Sequence, residues 1–142
     1  MTTIAYKDGV IAYDSRSTSG ELIRSDNTDK HKCIDGVHFF YAGMTCHEEQ
    51  FYDMYLGKQD QKTAIEDSPS AIVVHDGKVL CAGADGDGLF TQPIIEECYV
   101  IGSGTPFAYG ALDMGADAVT AVKMAAKRDC GTGGRIRTFK VK

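Results

Sequence analysis

Three Asp-Gly dipeptides, Asp8-Gly9, Asp35-Gly36 and Asp76-Gly77, each stand between β-prone runs and constrain the chain more than any other feature. Both central residues of a type I′ turn need positive φ, which Asp tolerates and Gly adopts without a Cβ clash, so each dipeptide is expected to close a hairpin. The hairpins fall at about 3–14, 32–42 and 71–82. Tyr99 to Ile101 adds a short strand before a glycine turn, and Arg135 to Val141 adds the last. The strands form two groups.

Helices are expected in the gaps. Thr45-Cys46-His47-Glu48 has the form of a capping box, after which Phe51, Met54 and Tyr55 fall on one helical face up to a stop at Gly57. Thr105-Pro106 reads as N-cap and first helical residue, leading a helix with Phe107, Ala111 and Met114 on one side until Gly115. Asp117 caps a third, in which Val119, Val122 and Ala126 line up and Lys127 and Arg128 favour the C-terminal end of the dipole. Hairpins, helix, hairpin, two helices and a closing strand make an α+β layered domain. With 142 residues, one domain over 1–142 is expected.

Several function classes are disfavoured. The formal net charge is −5 and no long basic stripe occurs, so a nucleic-acid partner is not expected. Arg135, Arg137, Lys140 and Lys142 read as a solvated strand. No run of 18 apolar residues exists, and no charged segment followed by an apolar stretch opens the chain, which argues against a membrane span or secretory signal and for a cytoplasmic protein. The five cysteines include no C-x-x-C pair, and most of them read as small buried hydrophobes of a reducing compartment. The four histidines show no zinc spacing. Asp85-Gly86-Asp87-Gly88 lacks the third acidic position and closing Glu of a calcium loop, so an exposed turn is expected. Ile101-Gly102-Ser103-Gly104 starts like a dinucleotide fingerprint, but Phe107 occupies the third glycine position. Neither a metal nor a cofactor is expected.

The chemistry lies at the start of the chain, which reads Met1-Thr2-Thr3-Ile4. A threonine hydroxyl is a weak nucleophile alone. An α-amino group on the same residue, with a pKa of roughly 7.7–8.0, can take its proton near neutral pH. One residue then supplies nucleophile and base.

Further segments follow in order: Val10 to Gly20 around Tyr13-Asp14-Ser15-Arg16, then Thr28-Asp29-Lys30, Phe40-Tyr41-Ala42-Gly43, Ile101 to Asp113 around Gly102-Ser103-Gly104, and Arg128-Asp129-Cys130-Gly131-Thr132-Gly133-Gly134. Together with the Thr2 start these resemble the β-type subunits of the proteasome and their bacterial relative, the peptidase of the HslUV complex, over residues 2–43 and 99–141. The resemblance implies the four-layer αββα sandwich of N-terminal nucleophile hydrolases. It also implies a set of roles. Thr2 is the nucleophile; Lys30 is the cation that eases alkoxide formation; Asp14 pairs with that lysine. Ser103, Asp129 and Thr132 surround the nucleophile's amine, Thr132 standing where Ser is usual. Gly43 offers a backbone N–H to the oxyanion, and Tyr41 falls where the family lines its S1 pocket, near Lys32. Peptide or unfolded-protein substrates, a closed homo-oligomeric ring and an ATP-dependent unfoldase or cap partner are what such proteins work with.

Two departures qualify the resemblance. Between Gly57 and Pro69 the chain is polar and too short for the long second helix of relatives, in the layer that faces a neighbouring ring or unfoldase, and the sequence ends soon after the last strand. This reads as a minimal version. Two other functions keep the same fold: a catalytically silent structural subunit, and an N-terminal nucleophile amidase acting on a small amide. The full residue set argues against the first, and a Thr rather than Cys or Ser start against the second. Met1 must also leave, because its carbonyl would turn the amine of Thr2 into an amide of no useful basicity.

Overall fold

The dipeptides Asp8-Gly9, Asp35-Gly36 and Asp76-Gly77 all adopt the left-handed backbone their turns require, with φ of 52–53° at Asp8, Asp35 and Asp76 and 75–79° at Gly9, Gly36 and Gly77. The computed structural model describes residues 2–141. The first segment forms β1 (Ile4–Lys7), β2 (Val10–Tyr13), β3 (Ser17–Ser19) and β4 (Leu22–Ser25). Next come β5 (His31–Ile34), β6 (Val37–Ala42), α1 (Glu48–Tyr55), β7 (Ser70–His75), β8 (Lys78–Asp85) and β9 (Gly88–Pro93). The return adds β10 (Cys98–Ile101), α2 (Thr105–Asp113), α3 (Ala118–Arg128) and β11 (Arg137–Lys140). These elements make two compact units, one comprising the chain up to Lys30 and from Ile95 onward, the other His31–Ile94.

In the first unit the sheet order is β10-β1-β2-β11, antiparallel throughout, with Ile4 opposite both Tyr13 and Ile101. One face meets α2 and α3 across Ala5, Ala12, Val100, Ala108, Leu112, Ala118, Ala121, Val122 and Ala125. Alanines dominate this seam, so the helices approach closely. The β3–β4 hairpin forms a separate two-stranded sheet.

In the second unit the order is β5-β6-β7-β8-β9, each strand antiparallel to its chain neighbour. Its core is aromatic. Phe39, Tyr41, Phe51, Tyr52 and Met54 pack with Val73 and Ala82, and the rings of Phe39 and Tyr52 lie 4.6 Å apart. Burying each such side chain stabilises by about 1.5–3 kcal/mol.

Several local expectations change. Thr45–His47 form a 3-10 turn, and α1 starts at Glu48 without a side-chain cap, in place of the capping box. In α2, Gly104 is the N-cap and Thr105 the first helical residue, its hydroxyl bonding the carbonyl of Gly102 at 2.6 Å. The face of α2 is also different. Ala108 and Leu112 are buried, whereas Phe107 is 43% and Met114 89% exposed. Both faces of this helix carry apolar residues, and the one with the small side chain facing the alanines of α3 is the one that closes. In α3 the buried residues are Ala118, Ala121, Val122 and Ala125, with Ala126 exposed, while Asp117 caps the helix by accepting from the Thr120 N–H at 2.8 Å. Of the cysteines, Cys81 is buried and Cys33, Cys46 and Cys130 are exposed, all as free thiols. The structure adds the strands β3, β4 and β9 to those the sequence predicts. No helix among the described residues is long and apolar enough to cross a membrane.

Candidate active site

At the open end of the β1–β2 hairpin, polar side chains replace the apolar alternation. Thr2, Thr3, Asp14 and Ser15 are all buried there, as is Lys30. A buried charge is tolerated only when paired and hydrogen-bonded. Asp14, wholly buried, has four donors: Oδ1 accepts from Lys30 Nζ at 2.7 Å and the Thr3 N–H at 3.1 Å, and Oδ2 from the Gly133 N–H at 3.0 Å and the Arg16 N–H at 3.3 Å. This carboxylate fixes the lysine and ties the first hairpin to the Gly131–Gly134 loop.

Lys30 Nζ also donates to Thr2 Oγ1 at 2.9 Å. Burial holds its ammonium below the usual lysine range, against the opposing pull of Asp14. A cation thus rests on the threonine hydroxyl. In that position it stabilises negative charge developing on the oxygen.

The nitrogen of the same residue faces a second group. Thr2 N–H donates to Ser103 Oγ at 3.1 Å, and Ser103 Oγ donates in turn to Asp129 Oδ2 at 2.6 Å. Thr132 Oγ1 donates to that carboxylate oxygen at 2.6 Å, and the Gly131 N–H to Oδ1 at 3.2 Å. Burial alone would push the Asp129 carboxyl up, but the bonds from Ser103, Thr132 and Gly131 outweigh it and hold it below the usual carboxylate range.

Turn chemistry positions these residues. Gly102, at φ +102°, lies so close to the Thr2 carbonyl that a Cβ would stand 2.1 Å from its oxygen, so glycine lets the loop carrying Ser103 lie against the start of the chain. Asp129 ends α3 as its C-cap, with its N–H still bonded to Ala125.

Six of the residues singled out in the sequence, Thr2, Asp14, Lys30, Ser103, Asp129 and Thr132, therefore form one hydrogen-bonded cluster within the first unit. Gly43 belongs to the second unit, just after β6, with φ +156°; a Cβ there would come within 3.1 Å of Tyr41 Oη and of Pro69. Tyr41 is a core residue of that unit, its hydroxyl donating to the Met44 carbonyl at 2.7 Å and its ring edge-on to Phe51. Met1 lies outside the described residues. Sequence reasoning missed the donor at Gly133 and the hydroxyl of Thr3. The second had a signal: Thr3 shares a strand face with Ala5, so a polar group there needed a buried partner.

No protein-family model and no curated protein matches the sequence. Solved structures do match. Eukaryotic HslV from Trypanosoma brucei superposes with a TM-score of 0.67 at 20% identity, covering 97% of this chain and 97% of that one. BPH, the bacterial proteasome homologue of Thiobacillus denitrificans, superposes with a TM-score of 0.68 at 20% identity, covering 99% and 98%. The same protein in complex with Epoxomicin gives 0.67 at 18% identity, with the same coverage. The fold is that of an HslV-like, proteasome β-type subunit. At 18–20% identity the likeness is one of fold. Among those described, no group of three or more His, Cys, Asp or Glu residues could hold a metal ion.

Proposed function

We propose that this chain is a threonine-type endopeptidase that works as an N-terminal nucleophile hydrolase within a self-compartmentalising homo-oligomer. The observation that carries the reading is the double approach to one residue: Lys30 Nζ at 2.9 Å from the Thr2 hydroxyl and Ser103 Oγ at 3.1 Å from the Thr2 nitrogen. An ordinary structural ion pair explains Lys30 with Asp14. It does not explain why a second polar line, through Ser103, Asp129 and Thr132, ends on the nitrogen of the same threonine.

In the proposed reaction Met1 is first removed, freeing the Thr2 amine. That amine takes the Thr2 hydroxyl proton as Oγ1 attacks a peptide carbonyl, and the Lys30 ammonium stabilises the forming alkoxide. The resemblance implies a backbone N–H, that of Gly43, as oxyanion donor; one such donor is worth roughly 3 kcal/mol in the transition state. Collapse expels the new amine terminus, which receives the proton from the Thr2 ammonium. Water then attacks the ester with the same amine as base, releasing the acid and regenerating Thr2. The step needs no cofactor.

The likeness over nearly the whole chain to HslV and BPH supports the finer fold reading, a single domain with a four-layer αββα sandwich. It also supports ring assembly, in which open proteolytic sites are enclosed. An ATP-dependent unfoldase or cap is the partner class that reading implies, and a cytoplasmic location follows from it.

The test uses fluorogenic peptides and small amides with wild type, Thr2→Ala and Thr2→Ser. Turnover of peptides, its loss in Thr2→Ala with an unchanged melting transition, and partial activity in Thr2→Ser are expected. Active material should lack Met1 by intact mass, run as a multi-subunit species by native mass, and be stopped by an inhibitor directed at N-terminal threonine. Epoxomicin, held by the Thiobacillus neighbour, is a suitable choice. Wild-type cleavage by Thr2→Ala would remove Thr2 from the mechanism. Turnover of small amides alone would make the protein an amidase.

A further inference from the structure

The polar line that ends on the Thr2 nitrogen does not begin at Thr132. Thr3 Oγ1 lies 2.7 Å from Thr132 Oγ1, and both residues are wholly buried. Each hydroxyl has one proton to give. Thr132 gives its proton to the Asp129 carboxylate, which in its ionised form can only accept. The bond between the two threonines is therefore directed: Thr3 donates and Thr132 accepts. Ser103 likewise spends its proton on Asp129 Oδ2, which leaves its oxygen to receive the Thr2 N–H. Every proton along the line from Thr3 through Thr132, Asp129 and Ser103 to the Thr2 nitrogen then has one consistent direction at each oxygen.

The backbone is built around this hydroxyl. Thr3 is locked from both sides, its N–H donating to Asp14 Oδ1 at 3.1 Å and its carbonyl accepting from the Asp14 N–H at 3.3 Å. Gly104, the N-cap of α2, leaves the space the hydroxyl fills: a Cβ there would stand 1.9 Å from Thr3 Oγ1 and 3.2 Å from Thr132 Oγ1.

We propose that Thr3 is a positioning residue of the active site, its buried hydroxyl fixing the rotor of Thr132 and thereby the state of Asp129 and the orientation of Ser103 against the Thr2 amine. It touches neither substrate nor the reacting atoms and acts through Thr132. The proposal rests on the reading of Thr2 as nucleophile. A donor at one end of a hydrogen-bonded chain polarises the next hydroxyl and strengthens its bond onward. Without Thr3, Thr132 keeps a buried, unpaired acceptor and becomes a weaker, freer donor, so Asp129 is easier to protonate. The other groups bearing on Asp129 stay unchanged: Lys30, whose ammonium attracts it; the Gly131 N–H; Arg16, which donates to the carbonyl of Cys130; and Lys127 and Arg128, exposed at the end of α3.

The experiment compares wild type with Thr3→Val, an isostere without the hydroxyl, and Thr3→Ser, which keeps the hydroxyl and loses the methyl. Two readouts are taken: peptide-hydrolysis kcat and KM across pH, and the titration midpoint of the Asp129 carboxyl by carbon-13 NMR. Thr3→Val should lower kcat by about tenfold with KM within about twofold, and should move the Asp129 midpoint and the acid limb of the kcat profile upward. Thr3→Ser should restore both. An unmoved midpoint in Thr3→Val, or a Thr3→Ser as impaired as Thr3→Val, overturns the proposal and leaves Thr3 as packing. Should Thr3→Val fail to fold, Thr3→Ala carries the same expectations. If wild type cleaves no peptide, the peptidase reading fails while the carboxyl titration still judges Thr3.

Discussion

The β1–β2 and β7–β8 hairpins turn on the same dipeptide with nearly the same backbone angles and carry opposite contents. Leading into the Asp76-Gly77 turn, the strand β7 runs Ala71-Ile72-Val73-Val74, buried without interruption at the centre of its sheet. Beyond Asp8-Gly9 the strands converge on Thr2, Thr3, Asp14 and Ser15, equally buried and wholly polar. Burial of the first kind stabilises in proportion to apolar area. Burial of the second kind stabilises nothing unless each donor and acceptor is matched, and here Asp14 collects four donors to make it tolerable. The turn sets where a hairpin points. What it carries at its open end decides whether it holds the fold together or holds a reactive residue in place.

The largest expected break in that comparison comes from Lys30→Met. Its side chain is 7% exposed, so the substitution leaves the Asp14 carboxylate buried without its cation, at a cost of about 3–5 kcal/mol. Activity should fall by on the order of a thousandfold or more, since a member of a coupled catalytic set is lost. Urea unfolding and peptide turnover on the same preparation separate the two losses. Adding Asp14→Asn should recover stability and leave activity lost; recovery of both would make Lys30 a structural partner only.

Next in size is Phe39→Ala in the second unit. Phe39 is wholly buried against Tyr52 and Tyr55, and truncation should cost about 3–5 kcal/mol through lost contacts and the cavity left behind. The loss should be the same at pH 5 and pH 8, because the rings packed on Phe39 are those of Tyr52 and Tyr55, whose hydroxyls burial pushes up, away from that range. A pH-dependent loss would mean that this core, like the polar cluster, is coupled to a titrating group.

The two regions also differ in how far the sequence reveals them. The hairpins were legible because type I′ turns are encoded by two residues, and α3 because Asp117 caps it directly. The buried face of α2 was not, since Phe107 and Met114 are as apolar as Leu112 and only the packing of small side chains against α3 chooses between them. The β3–β4 hairpin carries no Asp-Gly turn and exposes Leu22 at 67%. Of the site, the residue types around Thr2 could be picked out by likeness to a family. The order of protons through Thr132 to Thr3 could not, because it depends on Thr3 Oγ1 lying 2.7 Å from Thr132 Oγ1, a contact between residues 129 apart in the chain that leaves no local signal. The partial one, a threonine beside Ala5 on a buried face, asks for a partner without naming it.

The smallest effect tests the claim that the turns themselves are equivalent. Gly36→Ala adds a methyl where nothing lies within 4 Å, and Gly9→Ala adds one whose nearest neighbour, the Val141 carbonyl oxygen, is 3.8 Å away. Neither methyl meets a clash, so both substitutions report only the cost of an L side chain at φ of 75–79°. That cost is about 1–2 kcal/mol per residue, and it should be equal at the two sites within the error of a denaturant titration. Activity per folded molecule should be unchanged in Gly9→Ala, because the turn lies at the end of the hairpin away from Thr2 and the register of Ile4 with Tyr13 is set by the whole ladder. If Gly9→Ala cost several times as much as Gly36→Ala, or silenced turnover while the protein stayed folded, the first turn would be coupled to the polar cluster. Hairpin geometry and hairpin content would then not be separable in this fold.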